Sequence, residues 1–205
     1  MCHHYRAAKA LPEHFVAEFS LPTNLRTLFS DAPDDAYPLK RVPALRVDRN
    51  GDLEAFLPEW GLLPRWWKPS DKAPKRARFQ RQTFNARSET AATKPAFRDA
   101  MKRRRCLLPL IEFFERDHYF GLRDGGEPEP ISFAGLWESW RGEDGEVETA
   151  TLLTCEPNAE VRAVGHHRMP VLLTTPEQRR DWLVQGPGAV TLSAIAEGRL
   201  SVQAK

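Results

Sequence analysis

Apolar positions in this chain come in short runs, and seventeen prolines spread along its length keep interrupting them. Residues 12–19 predict a helix, with Pro12 near its start and Phe15, Val16 and Phe19 on one face. The stretch VPALRVDRNGDLEAFLPEWGLL predicts a hairpin that turns on Arg49–Asn50–Gly51–Asp52 between partly alternating strands. Residues 65–82 read as a charged loop and KPAFRDAMKRR as a short helix. CLLPLIEFFE is an apolar strand region, and HYFGLRDGGEPEPISFAGLW a second hairpin with a Gly- and Pro-rich turn. ATLLTC and MPVLLT are expected core strands. Thr175–Pro176–Glu177–Gln178 opens a last helix, with proline in its first turn and the spacing of a capping box. Many short strands and few helices imply a mixed, strand-dominated single domain over residues 1–205.

Composition narrows the class. With 205 residues, 41% hydrophobic and 28% charged, the chain can bury one ordinary core. No apolar run approaches the roughly 18 residues of a membrane helix, and MCHHYRAAKALPEHF lacks the apolar centre of a signal peptide. Three cysteines, Cys2, Cys106 and Cys155, are an odd count that argues against a disulfide framework and for a reducing cytoplasm. Cys106 and Cys155 lie in apolar runs and read as inert core thiols.

Charge changes the picture further. Between Arg65 and Arg105, fourteen Lys and Arg face three acids, a net of +11 inside a chain whose total is +2. Trp60, Trp66, Trp67, Phe79, Phe84 and Phe97 are interleaved with those cations. Cations that follow phosphates, alternating with rings that stack on unpaired bases, suit a single-stranded nucleic acid. A solvated basic face over buried tryptophans would give the same pattern.

Met1–Cys2 carries the most chemistry. Loss of Met1 leaves an α-amine with an ordinary pKa near 7.7–8.0 beside a thiol near 8.5, both close to their nucleophilic forms at neutral pH. An aldehyde can condense with the amine to an imine, and the thiol can then close a thiazolidine ring. Cys2, His3 and His4 are also ligand types that suit zinc or copper, but adjacent ligands do not readily fill a tetrahedral site.

Six stretches then occur in a telling order. They are Met1–Cys2, Trp60–Gly61–Leu62–Leu63–Pro64, Asn85–Ala86–Arg87–Ser88–Glu89–Thr90, Arg105–Cys106–Leu107–Leu108–Pro109 running into Phe113–Phe114–Glu115, Ala134–Gly135–Leu136–Trp137–Glu138, and His166–His167–Arg168–Met169–Pro170. Together they resemble the SOS response-associated peptidase (SRAP) family over residues 2–183. The resemblance implies a single α+β domain with a strand-rich, barrel-like core, a few short helices and a basic groove. It implies an abasic-site sensor in single-stranded DNA that crosslinks through Cys2 after Met1 is lost, by self-cleavage as in a cysteine peptidase, with weak AP-lyase activity as a side path. It implies Cys2, Asn85, Glu115 and His166 as the catalytic set. Arg87, Arg98 and Arg116 are expected to meet DNA, Arg87 at a backbone phosphate and Arg116 by stacking or by gripping a phosphate, and Trp66 and Trp67 to wedge against or stack on flanking bases. The expected setting is a bacterial-type cytoplasm, nucleoid-associated when DNA is bound. A monomer is expected, with no cofactor, metal or membrane partner.

Departures from the family pattern qualify the DNA geometry more than the chemistry. His3 and His4 follow the cysteine where Gly-Arg is usual, so a histidine would replace a DNA-facing cation only in part. Arg116 follows Glu115 where an aromatic is usual, and the stretch around Tyr37–Pro38 lacks the usual pattern. Two rivals follow: a non-covalent single-strand binder that has lost crosslinking, and a bare peptidase with Cys2 as its nucleophile.

Overall fold

Pairing along the apolar strand Arg105–Glu115 organises the molecule. The computed structural model describes residues 2–8, 29, 33–71, 75–124, 126–142 and 145–205. The helix expected over residues 12–19 lies outside them. The strands in chain order are β1 (Tyr5–Ala7), β2 (Asp35–Ala36), β3 (Ala44–Val47), β4 (Leu53–Phe56), β5 (Glu59–Trp60), β6 (Asn85–Arg87), β7 (Arg105–Glu115), β8 (His118–Asp124), β9 (Glu127–Glu129), β10 (Ile131–Gly142), β11 (Gly145–Cys155), β12 (Met169–Pro170), β13 (Leu172–Leu173) and β14 (Ser201–Ala204). The described helices are short: α1 (Arg76–Gln80), α2 (Ser88–Ala91), α3 (Arg98–Arg103), α4 (Ala159–Ala163) and α5 (Pro176–Val184). This is a strand-rich α+β domain whose fourteen described strands join in one curled, half-barrel sheet.

The central path runs β12-β11-β10-β7-β1-β2, with antiparallel neighbours throughout. β5 and β6 instead lie parallel against β11. β7 is buried along most of its length because the curled sheet covers both of its faces, which is why its sequence is an apolar run rather than an alternation. Pro109 has no N–H to give its neighbours, and β1 shifts register between Arg6 and Ala7 beside it. Inside the curl, Tyr5 meets Trp60 and Phe133 edge-on at 5.2 and 5.1 Å, and Phe113 stacks on Phe120 at 5.1 Å. Gly135 lets β10 close on β7: a Cβ there would sit 2.3 Å from a Leu108 methyl and 2.8 Å from the Cys106 sulfur.

Most predicted elements are present. The first hairpin is β3–β4; Asp48 accepts the backbone N–H groups of Asn50 and Asp52 at 2.8 and 2.9 Å, and Gly51 supplies the left-handed residue at φ +91°. The capping box of Thr175 and Gln178 starts α5. Three readings change. The charged loop contains helix α1, held by the buried Gln80, whose amide donates to the Gly61 carbonyl at 3.0 Å. HYFGLRD and ISFAGLW do not pair with each other: HYFGLRD lies between β7 and β9, and ISFAGLW pairs with an earlier part of β7. MPVLLT divides into β12 on β11 and β13 on β10, two strands that serve different neighbours.

Candidate active site

Four element ends converge where the N-terminal segment meets the sheet. Cys2 lies just ahead of β1, Asn85 is the first residue of β6, Glu115 the last of β7, and His166 sits between α4 and β12. Asn85 and Glu115 stand on the ends of ordered strands, which gives their side chains a rigid support. The Asn85 amide donates to the Cys2 carbonyl at 2.8 Å, and His166 Nε2 lies 3.0 Å from Glu115 Oε2. Cys2 is 1% exposed and its thiol faces the His4 carbonyl at 3.6 Å. The four expected catalytic residues are therefore neighbours. Asn85 Oδ1 is buried without a hydrogen-bond partner, an acceptor left open beside the cysteine.

Burial sets the protonation states. It pushes the Glu115 carboxyl up to about 7, since the buried anion lacks water. Burial also lowers His166 below its ordinary value. Desolvation, reinforced by the nearby Glu115 charge, raises the Cys2 thiol well above its usual range. His166 Nδ1 faces the Arg168 carbonyl at 2.8 Å and the Arg168 N–H at 3.2 Å. The shorter contact is to an obligate acceptor, so Nδ1 carries the proton and Nε2 presents a lone pair to Glu115. A protonated Glu115 can donate to that lone pair. The pair is thus neutral while it holds that proton, and releasing it near neutral pH leaves one negative charge on Glu115.

A second group of residues supports His166. Arg168 is buried and forks onto Glu89 with two 2.8 Å bonds, reaches Glu156 at 2.9 Å, and donates to the Thr154 carbonyl at 2.6 Å. Glu89 and Arg168 lie inside two of the stretches that carry the family resemblance, but neither stood out as a functional candidate. Their opposite charges were the available signal, and it is one that any surface pair would share.

The expected DNA-binding residues divide. Arg87 and Arg116 are exposed and have no ion-pair partner among the described residues. Arg98 is exposed beside Asp99, with Nε 3.6 Å from its carboxylate. Trp66 is 52% exposed and donates from its indole N–H to the Pro95 carbonyl at 3.2 Å. Trp67 is different: it is 4% exposed, packed against Phe79 and Trp140, so no face of its ring is open for a base. His4 also departs from expectation. It is buried against Asp35 at 2.6 Å and does not stand out as a surface cation.

The basic segment is partly neutralised within the fold. Arg65 and Arg104 both bind the buried Glu138, at 2.9 and 2.6 Å. Arg105 donates to the carbonyls of Trp182 and Leu183 at the end of α5 and of Lys102 at the end of α3. Arg78, Arg81, Arg87 and Arg103 remain exposed without ion-pair partners among the described residues. Cys106 and Cys155 are buried thiols, Cys155 pushed up to about 12 by burial. No described helix is long and apolar enough to cross a membrane.

A strand-rich α+β domain that gathers an N-proximal cysteine, an asparagine and a buried carboxyl–imidazole pair defines a recognisable class. The SOS response associated peptidase (SRAP) pattern matches residues 1–198, and the chain belongs to that family. It is 33% identical over 135 residues to the abasic site processing protein YoqW of Bacillus subtilis, covering 60% of this chain and 54% of that one. It is 27% identical over 158 residues to the abasic site processing protein HMCES of Pongo abelii, covering 60% and 43%. The chain thus matches about half the length of these curated relatives. A crystal structure of a Bordetella bronchiseptica protein superposes with a TM-score of 0.77 at 27% identity, covering 100% of this chain and 99% of that one. One from Bacteroides thetaiotaomicron gives 0.76 at 22%, covering 99% and 91%.

Proposed function

We propose that this protein processes abasic sites in single-stranded DNA by forming a covalent thiazolidine through Cys2 once Met1 has been removed. The observation that carries the reading is the contact of Asn85 with the Cys2 carbonyl beside the Glu115–His166 pair. The ring-opened abasic sugar is an aldehyde. The α-amine of Cys2 adds to its carbonyl carbon, and the carbinolamine loses one water to give an imine. The thiol then adds across the C=N bond, its proton passing to nitrogen, and the ring closes. Each step moves a proton near neutral pH, which suits a carboxyl held at about 7 against an imidazole lone pair. Asn85 Oδ1 is buried and unmet, which supports a role in accepting from the α-amine or from a sugar hydroxyl.

Arg87 and Arg116 would hold phosphates on either side of the lesion, and Trp66 would stack on a flanking base. Release of Met1 by the protein itself would use the same proton pair, in keeping with the family description. An imine that escaped ring closure could β-eliminate and nick the strand, a weak lyase path. The experiment is intact-protein mass spectrometry before and after mixing with an oligonucleotide that carries one abasic site. Loss of Met1 followed by a stable adduct on Cys2, absent in Cys2→Ala, is expected. A mature protein that binds the strand but gains no adduct would reduce it to a non-covalent binder.

A further inference from the structure

The segment from Cys2 to His4 precedes the first strand, yet Cys2 is almost fully buried, so something other than a sheet ladder must hold it. Asn85 grips one side through the Cys2 carbonyl. The other side is held two residues on. The His4 ring places Nε2 2.6 Å from Asp35 Oδ1 and stacks on Tyr37 with centroids 4.7 Å apart and planes 13° from parallel. Phe114 and Tyr119 close the remaining sides at 5.2 and 6.1 Å. The His4 main chain meanwhile serves the site. Its carbonyl accepts the Phe114 N–H at 3.0 Å and faces the Cys2 thiol at 3.6 Å. Thus one residue joins a side-chain anchor on β2 to a backbone acceptor for the cysteine.

We infer that His4 and Asp35 form a positioning pair that fixes the direction of the Cys2 amine and thiol. This rests on the crosslinking reading and adds to it a residue that acts through Cys2 rather than on DNA. Two nucleophiles must meet one carbon in sequence, and orientation of reacting groups is worth orders of magnitude in rate. With the His4 ring removed, residues 2–4 lose this side-chain tie to β2, while the Asn85 contact and the Phe114 N–H bond stay in place.

The test compares His4→Ala, His4→Gln, His4→Asn and Asp35→Ala in two assays. One is the single-turnover rate of adduct formation, set beside affinity for an intact single strand. The other is alkylation of Cys2 by iodoacetamide without DNA. His4→Ala and Asp35→Ala should slow the adduct by about tenfold or more while leaving intact-strand affinity within about twofold. They should also speed alkylation of the loosened thiol. Gln places its amide nitrogen where His4 Nε2 stands, so His4→Gln should restore both readouts and the shorter Asn should not. The double variant His4→Ala/Asp35→Ala should be no slower than either single one. Wild-type adduct rates in His4→Ala, or adduct rate and affinity falling together without rescue by Gln, would overturn the inference. If the wild-type protein forms no adduct, the crosslinking reading fails. Alkylation then decides alone, and an unchanged rate in His4→Ala overturns the pair.

Discussion

His166 Nε2 and Glu115 Oε2 lie 3.0 Å apart with both side chains buried, and burial moves the two groups in opposite directions. Glu115 is raised to about 7 and His166 is lowered, so both tend toward their neutral forms at the same pH. A charged pair would carry the desolvation cost of two ions, whereas the neutral pair shares one proton along a hydrogen bond. Raised acid and lowered base in contact are the arrangement that general acid–base work near neutrality requires.

Stability should fall with rising pH on account of Glu115. Between the unfolded carboxyl value near 4.3 and the folded value of about 7, the native state keeps a proton that the unfolded chain has lost. The contribution is complete below the unfolded pKa and gone above the folded one. Glu115→Gln should remove it, so its stability relative to wild type should improve by about 1–3 kcal/mol between pH 4 and pH 8. Urea midpoints at both values check this, and an unchanged difference would place Glu115 in a solvated site.

Cys2 reactivity should depend on the same carboxyl. The Glu115 anion adds to burial in raising the thiol, and that anion exists only above about pH 7. Alkylation of Cys2 in Glu115→Gln should match wild type near pH 6 and exceed it severalfold by pH 9. Mapped rates of iodoacetamide modification, compared across pH, measure the ratio.

Adjacent tryptophans should respond to alanine in different assays. Trp66→Ala removes an exposed ring, and should weaken single-strand binding by about 1–3 kcal/mol with little change in melting temperature. Trp67→Ala empties a buried space between Phe79 and Trp140, and should cost about 3–5 kcal/mol of stability. Calorimetry and fluorescence anisotropy on both variants separate the roles. Equal losses of affinity at unchanged stability would mean that the Trp67 ring is open in solution.

Glu89 should matter as the partner of a buried charge. Its hydrogen bonds to Arg168 hold its carboxyl below the usual range, so its contribution is present above about pH 4 and fades as pH falls through the lower folded value. Solvent at Glu89, whose side chain is 45% exposed, screens the pair. Glu89→Gln should therefore cost about 1–2 kcal/mol at pH 7, about 2–8 °C in melting temperature, and less at pH 3. Thermal melts at the two pH values test the sign.

What the sequence made legible follows from how local each signal is. The β3–β4 turn, the α5 capping box and the β7 run are written in a few contiguous residues, and each formed where expected. The four candidate site residues stand out only because their surrounding stretches carry a family likeness; Asn85 or Glu115 alone would read as a cap or a surface acid. Arg65, Arg104 and Glu138 mislead a charge count, because the pairing of distant residues is set by the sheet and not by sequence spacing. By sequence position alone His4 stands as a weakened surface cation. Its burial depends on Asp35 and Tyr37, 31 and 33 positions away, which nothing local announces.

Arg116 offers a test in which shape and charge can be separated. It and Asp117 form the two-residue loop between β7 and β8, with φ of +49° and +60°, the left-handed pair that such hairpins need. Arginine is costly in that conformation, and asparagine is tolerated there. Arg116→Asn should therefore keep or slightly raise the melting temperature, by about 1–4 °C, while deleting the guanidinium. If that group grips a phosphate beside Glu115, single-strand affinity should fall and the slope of log affinity against log salt should shrink by about 0.7. Arg116→Lys keeps the charge at the same strain and should retain the slope. Should Arg116→Asn bind as tightly as wild type with an unchanged salt slope, the loop serves the hairpin alone, and Arg87 must carry the phosphate contact without it.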